Sequence, residues 1–175
     1  MPPKVGQSGM APLIKKTVTV DSQSANVGLP NRLTIPALNI SAAVAFVGNA
    51  ADGSMDISPN QDDVAWYKLG PRPGEIGSAV IAGHYGSLRG KFSVFSDLSQ
   101  LKKGDKLQVQ DYKERLVTFV VRESRMYDPA ADATDVFNSH DGKVHLNLIT
   151  CEGSWNNAKE SYSNRRVVFT DKEIQ

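Results

Sequence analysis

Cysteine occurs once in the 175 residues. Cys151 therefore has no partner for a disulfide within the chain, and it is buried, reactive, or open to pairing with another molecule. Charge of one sign is also lacking: 20 lysines and arginines face 19 acids, a net charge of +1. That balance gives no field suited to nucleic acid or to an anionic lipid surface. No run of about eighteen apolar residues exists to span a bilayer. The longest candidate, residues 37–47, is broken by Asn39 and Ser41. The N-terminus lacks the charged-then-apolar pattern of a signal peptide, so the chain is expected to be cytosolic or to have an export segment outside this sequence. The histidines show no close ligand spacing, and neither a metal nor a cofactor is expected.

What is present has the length of one domain. Residues 1–28 are rich in Gly, Pro, Ser, Gln and Lys and are read as a flexible linker or tail. The folded domain is expected over 29–175. Short alternating segments follow: Arg-Leu-Thr-Ile before Pro36, then residues 40–47, 78–82, 106–110, 116–123 and 144–150, separated by Gly-, Pro-, Asn- and Asp-rich turns. Phe92, Phe95, Leu98 and Leu101 recur every three residues, which predicts one or two helical turns with both phenylalanines in the core. Residues 124–139 are expected to form a long connection with a helical turn near 135–137. About eight short strands against two or three helical turns make an all-β barrel or sandwich.

Cys151 closes the alternating segment Val-His-Leu-Asn-Leu-Ile-Thr-Cys and shares a face with Ile149. Beyond a Glu-Gly-Ser-Trp-Asn-Asn loop, Arg165, Val167 and Phe169 fall on one face of a second strand. A reactive cysteine needs a base or imidazolium beside it. His145 lies six residues before Cys151 on the same strand, roughly 20 Å away, and His140 belongs to a turn at that strand's far end. His84 remains, at the tip of a different apolar strand and preceded by Gly83, a residue that admits close approach of a ligand or another backbone. Each residue also has a plain reading: Cys151 as a small core hydrophobe, His84 as a ring satisfied by loop backbone, and Arg165 as a solvated strand charge.

Taken together, AVIAGH at 79–84, LNLITC at 146–151 and NRRVVF at 164–169 resemble the sortases, cysteine transpeptidases of Gram-positive-type cell surfaces. The likeness extends over WYKLGPRPGEIGSAVIAGH and FSVFSDLSQLKKGDKLQV and covers residues 29–173. PGEIG and CEGSWNNAKESYSNR look most similar to the class E and F branches, class F above all. The resemblance implies an eight-stranded sortase-like β-barrel in which His84, Cys151 and Arg165 form the catalytic set. It implies a substrate carrying an LPXTG-like sorting signal, an amine nucleophile from a cell-wall peptide or pilin lysine, a monomer, and a place on the extracellular face of the membrane through an anchor outside this sequence. Ala82 and Ile149, in phase with His84 and Cys151, are the expected floor of the signal-binding groove. One departure from the family pattern is Arg166, where an apolar residue usually follows the arginine; strand parity favours Arg165, which is in phase with Val167 and Phe169. Two alternatives stand beside the transpeptidase: a thiol hydrolase using the same three residues, and a non-catalytic β-barrel binding module with an inert Cys151.

Overall fold

The computed structural model describes residues 27–174; the tail expected over 1–28 lies almost wholly outside the described residues. Eight strands close into a barrel. In chain order they are β1 (Pro30–Ile35), β2 (Ile40–Val47), β3 (Val64–Tyr67), β4 (Gly77–Gly83), β7 (Lys106–Asp111), β8 (Leu116–Tyr127), β9 (Val144–Asn156) and β10 (Ser161–Lys172), with a two-stranded flap of β5 (Ser87–Leu88) and β6 (Lys91–Phe92) outside the barrel. The order around the barrel is β1-β2-β3-β4-β9-β10-β8-β7. Six neighbour pairs are antiparallel, while β2–β3 and β4–β9 run parallel.

Period-two alternation sorts the side chains into two layers. One set of alternate residues, including Leu33, Ile35, Val64, Trp66, Ala79, Ile81, Leu107, Phe119, Leu146, Leu148 and Val168, fills the barrel. The other set on β4 and β10, Val80, Val167 and Phe169, forms a second apolar cluster outside it, covered by Val136 of the short helix α1 (Thr134–Phe137). The reversal between β1 and β2 is made by Pro36, which starts a single 3-10 turn, and by Asn39 in the left-handed region at φ 55°, a conformation asparagine tolerates better than most residues.

Three expectations are corrected. Phe95, Leu98 and Leu101 are core residues, but Phe92 is 74% exposed on β6, and the helical content there is one 3-10 turn over Leu98–Gln100. The three-residue recurrence arises because an extended flap runs into a turn. The connection expected over 124–139 begins later, since β8 continues to Tyr127 by pairing with β10. The loop expected after Cys151 is mostly strand, because Trp155 and Asn156 pair with Tyr162 and Ser161 and carry the hairpin past the cysteine.

Candidate active site

The site is built on the outer layer of three adjacent strands. Strands β4 and β9 pair in parallel register with Ala82 opposite Ile149. One residue further, Thr150 Oγ1 donates to the Gly83 carbonyl at 2.7 Å. This bond ties the two strand ends together, so the next residues, His84 and Cys151, emerge from neighbouring strands about one strand spacing apart. On the other side, Arg165 is directly opposite Cys151 in the antiparallel β9–β10 register. All three, with Ala82 and Ile149, are partly exposed.

Gly83 has a packing reason: a Cβ there would lie 2.5 Å from Phe95 Cδ2 and 2.9 Å from Val94 Cγ1. The barrel core therefore presses on the residue before His84. The Phe95 amide also donates to the His84 carbonyl at 2.9 Å. The imidazole is anchored at Nε2, which lies 2.5 Å from the carbonyl of Ser58. The backbone partner anticipated for this histidine is thus real, and it engages one nitrogen of two.

Burial pushes the Cys151 thiol above its ordinary pKa, and the positive charge of Arg165 pulls it down. The Arg165 guanidinium donates from Nη1 to the carbonyls of Tyr162 (3.2 Å) and Asn164 (3.0 Å), and from Nη2 to Ser161 Oγ (3.0 Å). Its Nε–H has no partner among the described residues. Arg166 is differently occupied. It forms a two-pronged ion pair with Glu152, Nε to Oε2 and Nη2 to Oε1 at 2.8 Å each, and reaches Ser124 Oγ at 3.2 Å. Arg166 faces Thr150 in the register, on the inward-phased side of the hairpin. The parity argument for Arg165 therefore agrees with the register, and the second arginine is consumed by Glu152.

The outer-phased row of β9 explains how this surface is shaped. His145 is buried, its Nδ1 2.7 Å from Asp171 and its Nε2 2.9 Å from Asp141. Asn147, 1% exposed, donates from Nδ2 to the Val136 carbonyl at 2.7 Å. Then come Ile149 and Cys151. Two polar residues pin the segment 128–143 onto the sheet, an apolar residue follows, and the thiol comes last. Two cavities stand elsewhere: one of about 930 Å³ among Val27, Asp111, Val117 and Val144 at the other end of the barrel, and one of about 610 Å³ beside α1 among Tyr127, Asp135 and His140. Neither includes His84 or Cys151.

The sequence matches the family model described as "Sortase domain" over residues 33–173. The chain belongs to the sortase family. Solved sortases share the fold: sortase C-1 from Actinomyces oris (23% identity, 82% of this chain and 73% of that one, TM-score 0.64), sortase D5 transpeptidase from Clostridium perfringens (19%, 83% and 79%, 0.61) and sortase A from Corynebacterium diphtheriae (17%, 84% and 61%, 0.63). A search of curated proteins found no match. As a sortase the chain is a cysteine transpeptidase, and Cys151 is the one cysteine available to it.

Reading the sequence missed four supports of this candidate site: Ser58, Asn147, the His145 clamp and the Glu152–Arg166 pair. His145 and Asn147 left a signal, being polar residues alternating with leucines in an apolar strand. Ser58 left none, because it acts through its backbone.

Proposed function

We propose that this sortase cleaves an LPXTG-like sorting signal with Cys151, His84 and Arg165, and transfers the acyl group to an amine. The reading is carried by one observation: Cys151 stands opposite Arg165 on one side and is tied by the Thr150–Gly83 bond to the His84 strand on the other. The Cys151 thiolate attacks the signal's carbonyl, and Arg165 donates to the oxygen that gains negative charge. The carbon–nitrogen bond then breaks as the His84 imidazolium gives its proton to the leaving amine, which leaves a thioester. An incoming amine attacks that thioester, neutral His84 takes its proton, and the thiolate departs with an amide formed.

Ala82 and Ile149, paired in register, form the floor that receives the apolar part of the signal, and Ile149 packs against the outer cluster of Val80 and Val167. Residues 128–143, held by Asn147 and His145, make one wall. Within the family its PGEIG and CEGSWNNAKESYSNR segments support class E or F, class F above all, and it acts at the cell surface on cell-wall or pilin amines. Incubation with a sorting peptide, with and without an amine acceptor, tests the reading by product mass. Amide product only with acceptor is expected. Acid product in equal yield under both conditions would assign a hydrolase, and no cleavage with labelling of Cys151 only after denaturation would assign a binding module.

A further inference from the structure

A histidine that acts as acid in one half-reaction and base in the other works through one ring nitrogen, chosen by what holds the second. Here Nε2 of His84 lies 2.5 Å from the Ser58 carbonyl. A carbonyl oxygen only accepts, so Nε2 carries a proton whether the ring is neutral or charged. We propose that the Ser58 carbonyl fixes His84 as the Nε2–H tautomer, which makes Nδ1 the single atom that moves protons, and that Ser58 and Pro59 are positioning residues for the reaction. The proposal rests on His84 being the acid and base of the reading above.

Three features hold that carbonyl in place. Pro59 confines the residue before it to extended backbone, which sets the direction of the Ser58 C=O. The Ser58 hydroxyl accepts from the Asn60 amide at 3.2 Å, and Ser58 itself is 3% exposed although it lies in a turn-rich segment. The loop three residues beyond Ser58 and the backbone of His84 are also fastened to one dipeptide: Val94 N donates to the Gln61 carbonyl at 3.0 Å, while Phe95 N donates to the His84 carbonyl at 2.9 Å. Phe95 is wholly buried, so ring and carbonyl are referenced to the same piece of core. A free carbonyl in this loop would be satisfied by water; this one is aimed at the imidazole.

The full chain labelled with ¹⁵N-histidine decides the matter, using long-range proton–nitrogen correlation at a pH where the His84 ring is neutral. The expected pattern has Nε2 protonated and Nδ1 bare. Pro59 is exposed, so Pro59→Gly frees the Ser58 carbonyl without opening the core. It should give a mixture of tautomers and a kcat lower by about ten- to a hundredfold, with KM and melting temperature near wild type. Ser58→Ala should show a milder version that Ser58→Thr rescues. A wild-type spectrum with Nδ1 protonated, or a Pro59→Gly protein with one tautomer and native kcat, would overturn the proposal. An Nε2–H spectrum in a protein that cleaves no sorting peptide would instead remove the proton-moving role while leaving the tautomer assigned.

Discussion

Burial of Cys151 holds its sulfur protonated against the pull of Arg165. Because the thiol's pKa is raised, its thiolate fraction at neutral pH is below that of a free cysteine, and alkylation of the native protein should climb steeply as pH rises past the ordinary thiol range. Arg165→Ala removes the opposing charge, so the same profile should shift to higher pH, and transpeptidation should fall by about 10² to 10³. Arg165→Lys should keep the alkylation profile near wild type while still losing rate, because the charge remains and the planar fork does not. Iodoacetamide labelling followed by mass, set beside peptide cleavage, measures both. Cys151→Ala should retain no activity.

At the scale of elements, the hairpin of β9 and β10 carries the sulfur and the guanidinium, and the Glu152–Arg166 pair braces it from the opposite face. Arg166 holds the Glu152 carboxyl below its ordinary pKa, so the stabilisation is present above the unfolded carboxylate pKa and is lost as pH falls through the depressed folded value. Both side chains are 18% exposed, and Arg166→Met should cost about 2 kcal/mol at neutral pH. Denaturant melts at several pH values should show the wild type losing that margin in acid while the variant's curve is flatter. Asn147→Ala tests the proposed wall of the groove. It orphans the buried Val136 carbonyl, should cost about 1–2 kcal/mol, and should raise KM for the sorting peptide more than it lowers kcat. Much of this hairpin was legible beforehand: alternation put Cys151 with Ile149 and Arg165 with Val167. What alternation did not reveal was where the strands end, because pairing past Trp155 is decided by the partner strand and not by local composition. The exposure of Phe92 was missed for a related reason, since periodicity reports spacing but not which neighbour is there to cover a ring.

For the whole molecule, barrel topology does what sequence spacing could only suggest. His84 was singled out by eliminating His145 and His140, and its place beside Cys151 depended on β4 and β9 lying side by side and pointing the same way. The parallel register supplies that, and the Thr150 bond fixes it. In the proposed mechanism Cys151, His84 and Arg165 supply the nucleophile, the proton carrier and the oxyanion donor and no step uses an ion, so treatment with EDTA should leave the rate of amide formation within about twofold of the untreated enzyme. A loss restored by calcium alone would show that an ion orders the groove. Dilution should leave specific activity constant if a single copy is the working unit.

The parallel pairing of β4 with β9 has a consequence for biogenesis. Thr150 and Gly83 are 67 residues apart, and the last barrel strand to leave the ribosome is the one bearing Arg165. A nascent chain halted before β10 would own Cys151 and His84 but neither Arg165 nor a closed barrel. The three groups of the proposed reaction thus come together only when the final strand slots between β8 and β9.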